Sequence, residues 1–281
     1  MKNFFVIANN SKKEAVDFQL NIKEYLESKG AKCDICSEVS TKGHVQASQV
    51  PSDSECVIVL GGDGTLLQAS MDLADINIPF LGINLGTLGY LAAADKDDVF
   101  TALDRMLKDD YITEPRMMIY GEVNSNNQKM DESWALNEIV ITGKEPMQIV
   151  YLCVYVNDMF LHKYQADGVI VSTPTGSTGY NLSAGGPIVN PTAKTMVLTP
   201  VSPHSMHNRG IVFSSDDTIR IDIVEDRYGR EQNVVAIFDG SKKVDIKTGD
   251  SITIKRSEKT TKIIKLKKES FLETLHNKLE D

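Results

Sequence analysis

The residues best suited to chemistry in this chain stand in two glycine-rich turns, each fed by a β-branched apolar run. The first is Gly61-Gly62-Asp63-Gly64-Thr65, after Cys56-Val57-Ile58-Val59-Leu60. Glycines behind a parallel strand let successive backbone N–H groups point into one concavity. The positive N-terminal end of a following helix adds to it, so phosphate can bind without a basic side chain. Gly61, Gly62, Gly64 and Thr65 are therefore the candidate phosphate-binding residues. Asp63 is out of place there, because a phosphate repels a carboxylate unless the carboxylate holds a divalent cation or takes a proton. The plainer reading of Asp63 is a local cap of its own turn. The Walker pattern is absent, and the dinucleotide fingerprint is incomplete because Leu67 stands where its third glycine belongs.

The second turn follows Val169-Ile170-Val171 and runs through Ser172 to Ile188. It is a poor core and a poor helix but a good cradle: small residues let the backbone approach a ligand, and hydroxyls supply hydrogen bonds. Ser172, Thr173, Thr175, Ser177, Thr178 and Ser183 offer hydroxyls, and Tyr180 offers a ring and an O–H. No Gly-x-Ser-x-Gly and no His/Asp spacing supports a serine nucleophile. Together the two turns imply a phosphorylated ligand held by two parts of the protein.

Other polar positions carry weaker signals. Asn84 to Leu91 is a second glycine-punctuated strand exit, and two exits from one parallel sheet can form a crevice. Asn137 and Glu138 head an apolar strand, where neighbours point to opposite faces. They can share a ligand only if the backbone bends, and alone Glu138 reads as a solvated edge residue. His204 and His207 stand three apart, but Pro200 and Pro203 argue against a helix that would aim both at a metal. Cys33 and Cys36 lack the second pair a zinc site needs, and Cys33 reads as a buried strand residue. No residue is assigned to a resident metal.

The elements that must position these residues divide into two sets. Phe4 to Ala8, Lys32 to Ile35, Val57 to Leu60 and Pro79 to Asn84 read as strands alternating with helices. The helices follow Ser11, where Glu14 completes a capping box, and cover about 65–74 and 96–108. This is an α/β domain with a parallel, Rossmann-like sheet. From Pro115 short β-rich runs follow one another, beginning at Leu136 and ending with Ser251–Ile254 and Lys262–Leu266, which reads as an all-β sandwich. A final helix capped by Ser270 and Glu273 carries Phe271, Leu272, Leu275 and Leu279 on one face and is expected to pack back on the first domain. The expected domains are 1–112 together with 268–281, and 113–267.

Composition bounds the rest. The chain has 281 residues, 41% of them hydrophobic, enough for two domains. A formal net charge of −9 argues against a nucleic-acid surface, and the basic tract from Lys255 to Lys268 reads as solvated strand faces. No run reaches membrane-spanning length, Phe4 to Ala8 is too short for a signal segment, and nothing demands disulfides, so the expected compartment is the cytoplasm.

The turn at 61–65, the stretch 84–91, Asn137-Glu138 and the block from Asp167 to Pro187 together resemble the NAD kinases, which phosphorylate the 2′-hydroxyl of the adenosine ribose of NAD to form NADP. The resemblance runs from about residue 56 to 240. Ser202-Pro203-His204 and Asp239-Gly240 also belong to it. The 61–65 turn is shared with lipid kinases and phosphofructokinases, whereas Thr173 to Tyr180 is far more specific. The resemblance implies that Asp63 activates the hydroxyl and organises metal and phosphates. It also implies that Asn137 and Thr175 hold adenine, and that Glu138 holds the ribose. Asp167 and Ser183 would then lie near the nicotinamide end, with Thr178, Gly179 and Tyr180 lining the pocket. It implies NAD and ATP or polyphosphate as substrates, Mg²⁺ or another divalent cation with the donor, and a homodimer or homotetramer. Gly179 stands where many members carry Ala, and Ser241 where many bacterial members carry Gln.

Two rival readings remain open at this point. A lipid or sphingoid kinase would share the Asp63 turn but needs a hydrophobic acceptor channel, for which Thr173 to Tyr180 is too polar. A non-catalytic dinucleotide sensor would keep the pocket and leave Asp63 without a task.

Overall fold

A computed structural model describes residues 1–8, 13–36, 44–86, 89–126, 128–204, 209–266 and 271–279. The chain divides into two compact units, Met1–Arg116 with Thr260–Asp281, and Met117–Lys259. Both expected capping boxes depend on residues outside the described set, Ser11 and Ser270.

The first unit opens with β1 (Asn3–Ala8), α1 (Lys13–Ser28), β2 (Lys32–Ile35), β3 (Cys56–Gly61), α2 (Asp63–Asp72), β4 (Phe80–Asn84), β5 (Ala94–Asp95) and α3 (Val99–Leu107). The strands β2, β1, β3 and β4 lie side by side and parallel. Alternation decides which face each side chain takes. Phe4, Val6, Ile58, Leu60, Leu81 and Ile83 enter one apolar cluster with Ala15, Ile22 and Leu26 of α1 and Val99, Leu103 and Met106 of α3. Phe5, Ile7, Val57 and Val59 are buried as well, as a parallel sheet covered on both faces requires. Gly30 closes α1 with φ +79, and the Ala31 N–H bonds back to the Leu26 carbonyl.

The second unit is antiparallel. Its elements are β6 (Ile112–Ser125), β7 (Gln128–Ala135), β8 (Glu138–Gly143), β9 (Val150–Val156), β10 (Met159–Ala166), β11 (Gly168–Ser172), α4 (Tyr180–Ser183), β12 (Thr195–Val201), β13 (Ile211–Ser214), β14 (Ile219–Ile223), β15 (Asn233–Phe238), β16 (Lys242–Lys247) and β17 (Ser251–Lys265). One sheet runs β13-β12-β11-β8-β15-β16, and β10, β9, β14 and β17 pair in another. Val154, Ile221 and Ile254 of the second and Ile139, Ile141 and Val169 of the first are fully buried, as the core of a sandwich demands. The expected architecture, an α/β domain followed by a β-sandwich, is the one observed. The strands β6 and β17, of 14 and 15 residues, each contribute to both units. Ile264 near the end of β17 and Leu266 just past it join the core of the first unit, and that unit also contains α5 (Phe271–Leu279).

Candidate active site

The first glycine turn sits where β3 gives way to α2. Gly61 is buried, and the Thr65 side chain occupies the space a β-carbon on Gly61 would need. Gly62 and Gly64 are exposed, with nothing within 4 Å of where their β-carbons would lie. Gly62 is the N-cap and Asp63 the first helical residue, so the first N–H groups of α2 open onto a bare backbone surface. That surface can take phosphate through N–H groups and the positive helix end.

Asp63 does not cap its own turn. Its carboxylate reaches across to the second glycine-punctuated exit, accepting the Tyr90 N–H at 2.8 Å and the Leu91 N–H at 3.2 Å. A β-carbon on Gly89 would collide with that carboxylate, which explains the glycine there. Asn84 at the end of β4 shapes the same exit, its amide bonding Gly86 in both directions at 2.7 and 3.3 Å. The two exits of the sheet thus meet at Asp63. Thr87 and Leu88 lie outside the described residues.

The second constellation lies in the sandwich. The backbone bends at 136–137 before β8 begins, which meets the condition for Asn137 and Glu138 to share a ligand. A β-carbon on Gly179 would stand 3.1 Å from Glu138 Oε2 and 3.3 Å from Asn137 Nδ2, so both side chains come to one glycine wall. Glu138 is buried rather than solvated. Its carboxyl is pushed up to about 8, first by desolvation and then by the Asp239 charge, against the Tyr180 N–H that it accepts. Asn137 Oδ1 and Glu138 Oε2 are buried with no hydrogen-bond partner. Such atoms are costly unless a ligand or water meets them.

The hydroxyls of the long block divide into two kinds. Ser172, Thr173 and Ser177 spend theirs on the carbonyls of Thr173, Leu136 and Pro174, and so build the cradle instead of lining it. Thr178 donates to the Thr175 carbonyl at 3.3 Å. Thr175 is buried and Tyr180 is exposed, as is Ser183 at the end of the short helix α4. Sequence reasoning gave no role to two supports, one of which, Asp239, it noted only as part of a turn. Asn181, fully buried, donates to the Ser177 and Pro187 carbonyls at 3.1 Å each and accepts the Thr199 hydroxyl at 2.7 Å. Asp239 accepts backbone N–H groups from Leu136, Asn137 and Glu138. An asparagine four residues ahead of Gly185-Gly186 and an aspartate directly before a glycine were the available signals.

Asp167 is not brought to this group. In the β8–β11 ladder Ser172 faces Glu138 while Gly168 faces Thr142. Four residues at roughly 3.3 Å each put Asp167 more than ~13 Å along the strand from Glu138. A cavity of about 1020 Å³ opens in the second unit, lined by Lys144, Tyr151, Gln165, His204, Arg227 and Arg230 among others, and by none of the expected site residues. Of the possible histidine pair, His207 lies outside the described residues. Cys33 is a core residue whose thiol burial pushes up to about 12, unsuited to redox or metal chemistry.

Residues 4–111 match the ATP-NAD kinase N-terminal domain and residues 136–266 the ATP-NAD kinase C-terminal domain. The NAD kinase of Lachnospira eligens is 41% identical, covering 99% of this chain and 100% of its own; that of Agathobacter rectalis is 42% identical, covering 99% of each. This chain belongs to the NAD kinase family. Two solved structures share the fold. A yeast NADH kinase complexed with NADH superposes with TM-score 0.88 at 21% identity, covering 100% of this chain and 88% of that one. An Archaeoglobus fulgidus NAD kinase in complex with ATP superposes with TM-score 0.79 at 24% identity, covering 100% and 99%.

Proposed function

We infer that this chain transfers a phosphoryl group from ATP, or another phosphoryl donor, to the 2′-hydroxyl of the adenosine ribose of NAD, giving NADP. The observation that carries this reading is the pair of orphaned buried oxygens on Asn137 and Glu138. They stand beside a glycine-walled turn inside the stretch that matches the ATP-NAD kinase C-terminal domain. An adenosine brings an exocyclic amine and ribose hydroxyls, which are donors for such oxygens. The NADH and ATP bound to the two structural neighbours support the same substrate pair.

In this reading Asn137 and Thr175 hold the adenine and Glu138 the ribose, with Thr178, Gly179 and Tyr180 lining the pocket. Asp167 and Ser183 serve the nicotinamide end, and the separation along β11 suits Asp167 to a part of the dinucleotide remote from the ribose that Glu138 holds. Gly61, Gly62, Gly64 and Thr65 receive phosphate at the head of α2. A ribose hydroxyl is a weak nucleophile with a high pKa, and Asp63 takes its proton as the new O–P bond forms and the bond to the donor's leaving phosphate breaks. The Tyr90 and Leu91 N–H groups fix the orientation of that carboxylate, and each of its oxygens keeps a lone pair for the proton or a cation.

Among the described residues no three His, Cys, Asp or Glu side chains cluster as metal ligands. The cation that fits this donor set is one carried on the donor's phosphates, Mg²⁺ in the first instance, with Asp63 as a protein carboxylate beside it. It supplies neutralisation of the phosphate charge. The activity suits the cytoplasm. No described helix is long and apolar enough to cross a membrane, and the four cysteines form no disulfide. By family resemblance the assembly is a homodimer or homotetramer.

The test is direct measurement of NADP from purified protein, NAD, Mg²⁺ and either ATP or polyphosphate. Asp63→Asn is expected to keep the NAD Kd within about 3-fold and to lower kcat by about 10²-fold or more, the range of a general base. No NADP from the wild-type chain with either donor would overturn the reading, and wild-type turnover in Asp63→Asn would remove the base assignment alone.

A further inference from the structure

The hydrogen-bond ladder between β15 and β8 ends at the pair Phe238–Ile139. One residue further, the Asp239 side chain takes over as acceptor. Its Oδ2 receives the Leu136 N–H at 2.6 Å, and its Oδ1 receives the Asn137 and Glu138 N–H groups at 2.9 Å each. Its own N–H returns to the Glu138 carbonyl at 3.1 Å. Asp239 has φ +44 and Gly240 φ +70, a left-handed turn that aspartate tolerates better than most residues and glycine freely. Burial pushes the Asp239 carboxyl up to about 6 although three N–H groups oppose the shift, so a costly acid is kept at this turn.

That cost is offset at Asn137 and Glu138. A regular strand would send consecutive side chains to opposite faces. Gathering three consecutive N–H groups onto one carboxylate imposes instead the bend seen at 136–137, and both side chains then reach the Gly179 wall. We propose that Asp239 is a positioning residue of the adenosine site, holding the bend that turns Asn137 and Glu138 onto the same ligand. This rests on the reading of those two residues as NAD-binding.

The test compares Asp239→Asn and Gly240→Ala with the wild-type enzyme. Asn keeps one acceptor and turns a donor toward the Leu136 N–H. Ala at Gly240 keeps the carboxylate and strains the turn that presents it. For Asp239→Asn the Kd and KM for NAD are expected to rise about 10-fold or more, with donor KM and kcat at saturating NAD within about 3-fold. Gly240→Ala gives a smaller rise in the same direction. In an Asn137→Ala background Asp239→Asn adds less than it does alone, because part of what it positions is gone. A purely structural Asp239 would lower the melting temperature and leave the NAD Kd of the folded protein unchanged. That result, or strict additivity with Asn137→Ala, overturns the proposal. If Asp239→Asn does not fold, Gly240→Ala decides: an unchanged NAD Kd overturns it. A wild-type chain that binds NAD without making NADP sinks the kinase reading and leaves the Kd comparison to judge Asp239. A wild-type chain that does not bind NAD sinks both.

Discussion

Two glycines measure how closely this protein brings backbone to the carboxyl groups of Asp63 and Glu138. At Gly89 the Asp63 carboxylate fills the place of a side chain, so a methyl there drives it off the Tyr90 and Leu91 N–H groups. Misplacing a reacting group by an ångström can cost about 10²-fold in rate, so Gly89→Ala is expected to lower kcat by about that factor with NAD affinity little changed. At Gly179 the same methyl meets Glu138 Oε2 at 3.1 Å, the Gly176 carbonyl oxygen at 3.2 Å and Asn137 Nδ2 at 3.3 Å, a crowding of a few tenths of an ångström in which two of the three neighbours are side-chain ends that can yield. Gly179→Ala is accordingly expected to change the NAD KM by less than about 3-fold. Steady-state kinetics of the two variants side by side checks both. Equal effects would mean that the carboxylate of Asp63 is not held where turnover needs it.

At the scale of elements, the stretch from Thr173 to Asn190 works because it is braced from within. Ser177 bonds Val189 and Pro174, and Asn181 ties Ser177 and Pro187 to Thr199 on β12. Asn181→Ala strands the Ser177 carbonyl and the Thr199 hydroxyl in a buried place and frees the Pro187 carbonyl at its edge, a loss of about 2–3 kcal/mol. We expect a drop in melting temperature of several degrees, together with a weaker NAD Kd as the Thr178–Tyr180 wall loosens. Calorimetry and titration check it, and a normal Kd in the folded variant would show the bracing to be irrelevant to the ligand. This brace also marks where sequence reading stopped. The hydroxyls of Ser172, Thr173 and Ser177 look identical to ligand-facing ones until their carbonyl partners are known. Glu138 reads as solvated because its burial depends on Gly179 and Asp239, remote in sequence. The apolar strands β1, β3, β8, β11 and β15 were legible from composition, and the 61–65 turn from its glycines. The strands β6, β7 and β16 were not, because their charged residues mask a two-residue alternation in which only Val244 and Ile246 of β16 are buried. The single strand β17 read as two because Lys255, Arg256 and Glu258 interrupt its apolar pattern, while Ser257 and Thr261 carry the buried face between them.

At the scale of the whole molecule, the site taxes the ligand-free fold in a pH-dependent way. Glu138 and Asp239 are acids whose folded-state pKa values are raised, to about 8 and about 6, from ordinary values of 4.5 and 3.8, in both cases mainly by desolvation. The folded protein therefore holds these protons more tightly than the unfolded chain. The stability they contribute is fully present below the ordinary values and is lost as pH rises through about 6 and then about 8. Carboxylates such as Glu55 and Asp226, held low by backbone N–H donors, act in the opposite sense and lose their contribution only in stronger acid. The ligand-free protein is thus expected to be most stable on the acid side of neutrality. Between pH 5.5 and 8.5 it is expected to lose on the order of 2 kcal/mol, several degrees in melting temperature. The net charge of −9 makes self-repulsion grow in the same direction, so the decisive comparison is Glu138→Gln, which removes the titration and keeps the shape. Its melting temperature should fall distinctly less than the wild type's over the same pH range, and saturating NAD should raise the wild-type midpoint by linkage at every pH. Thermal melts at pH 5.5, 7 and 8.5, with and without NAD, give all four slopes. Parallel wild-type and Glu138→Gln lines would mean that the Glu138 carboxyl does not govern the pH response.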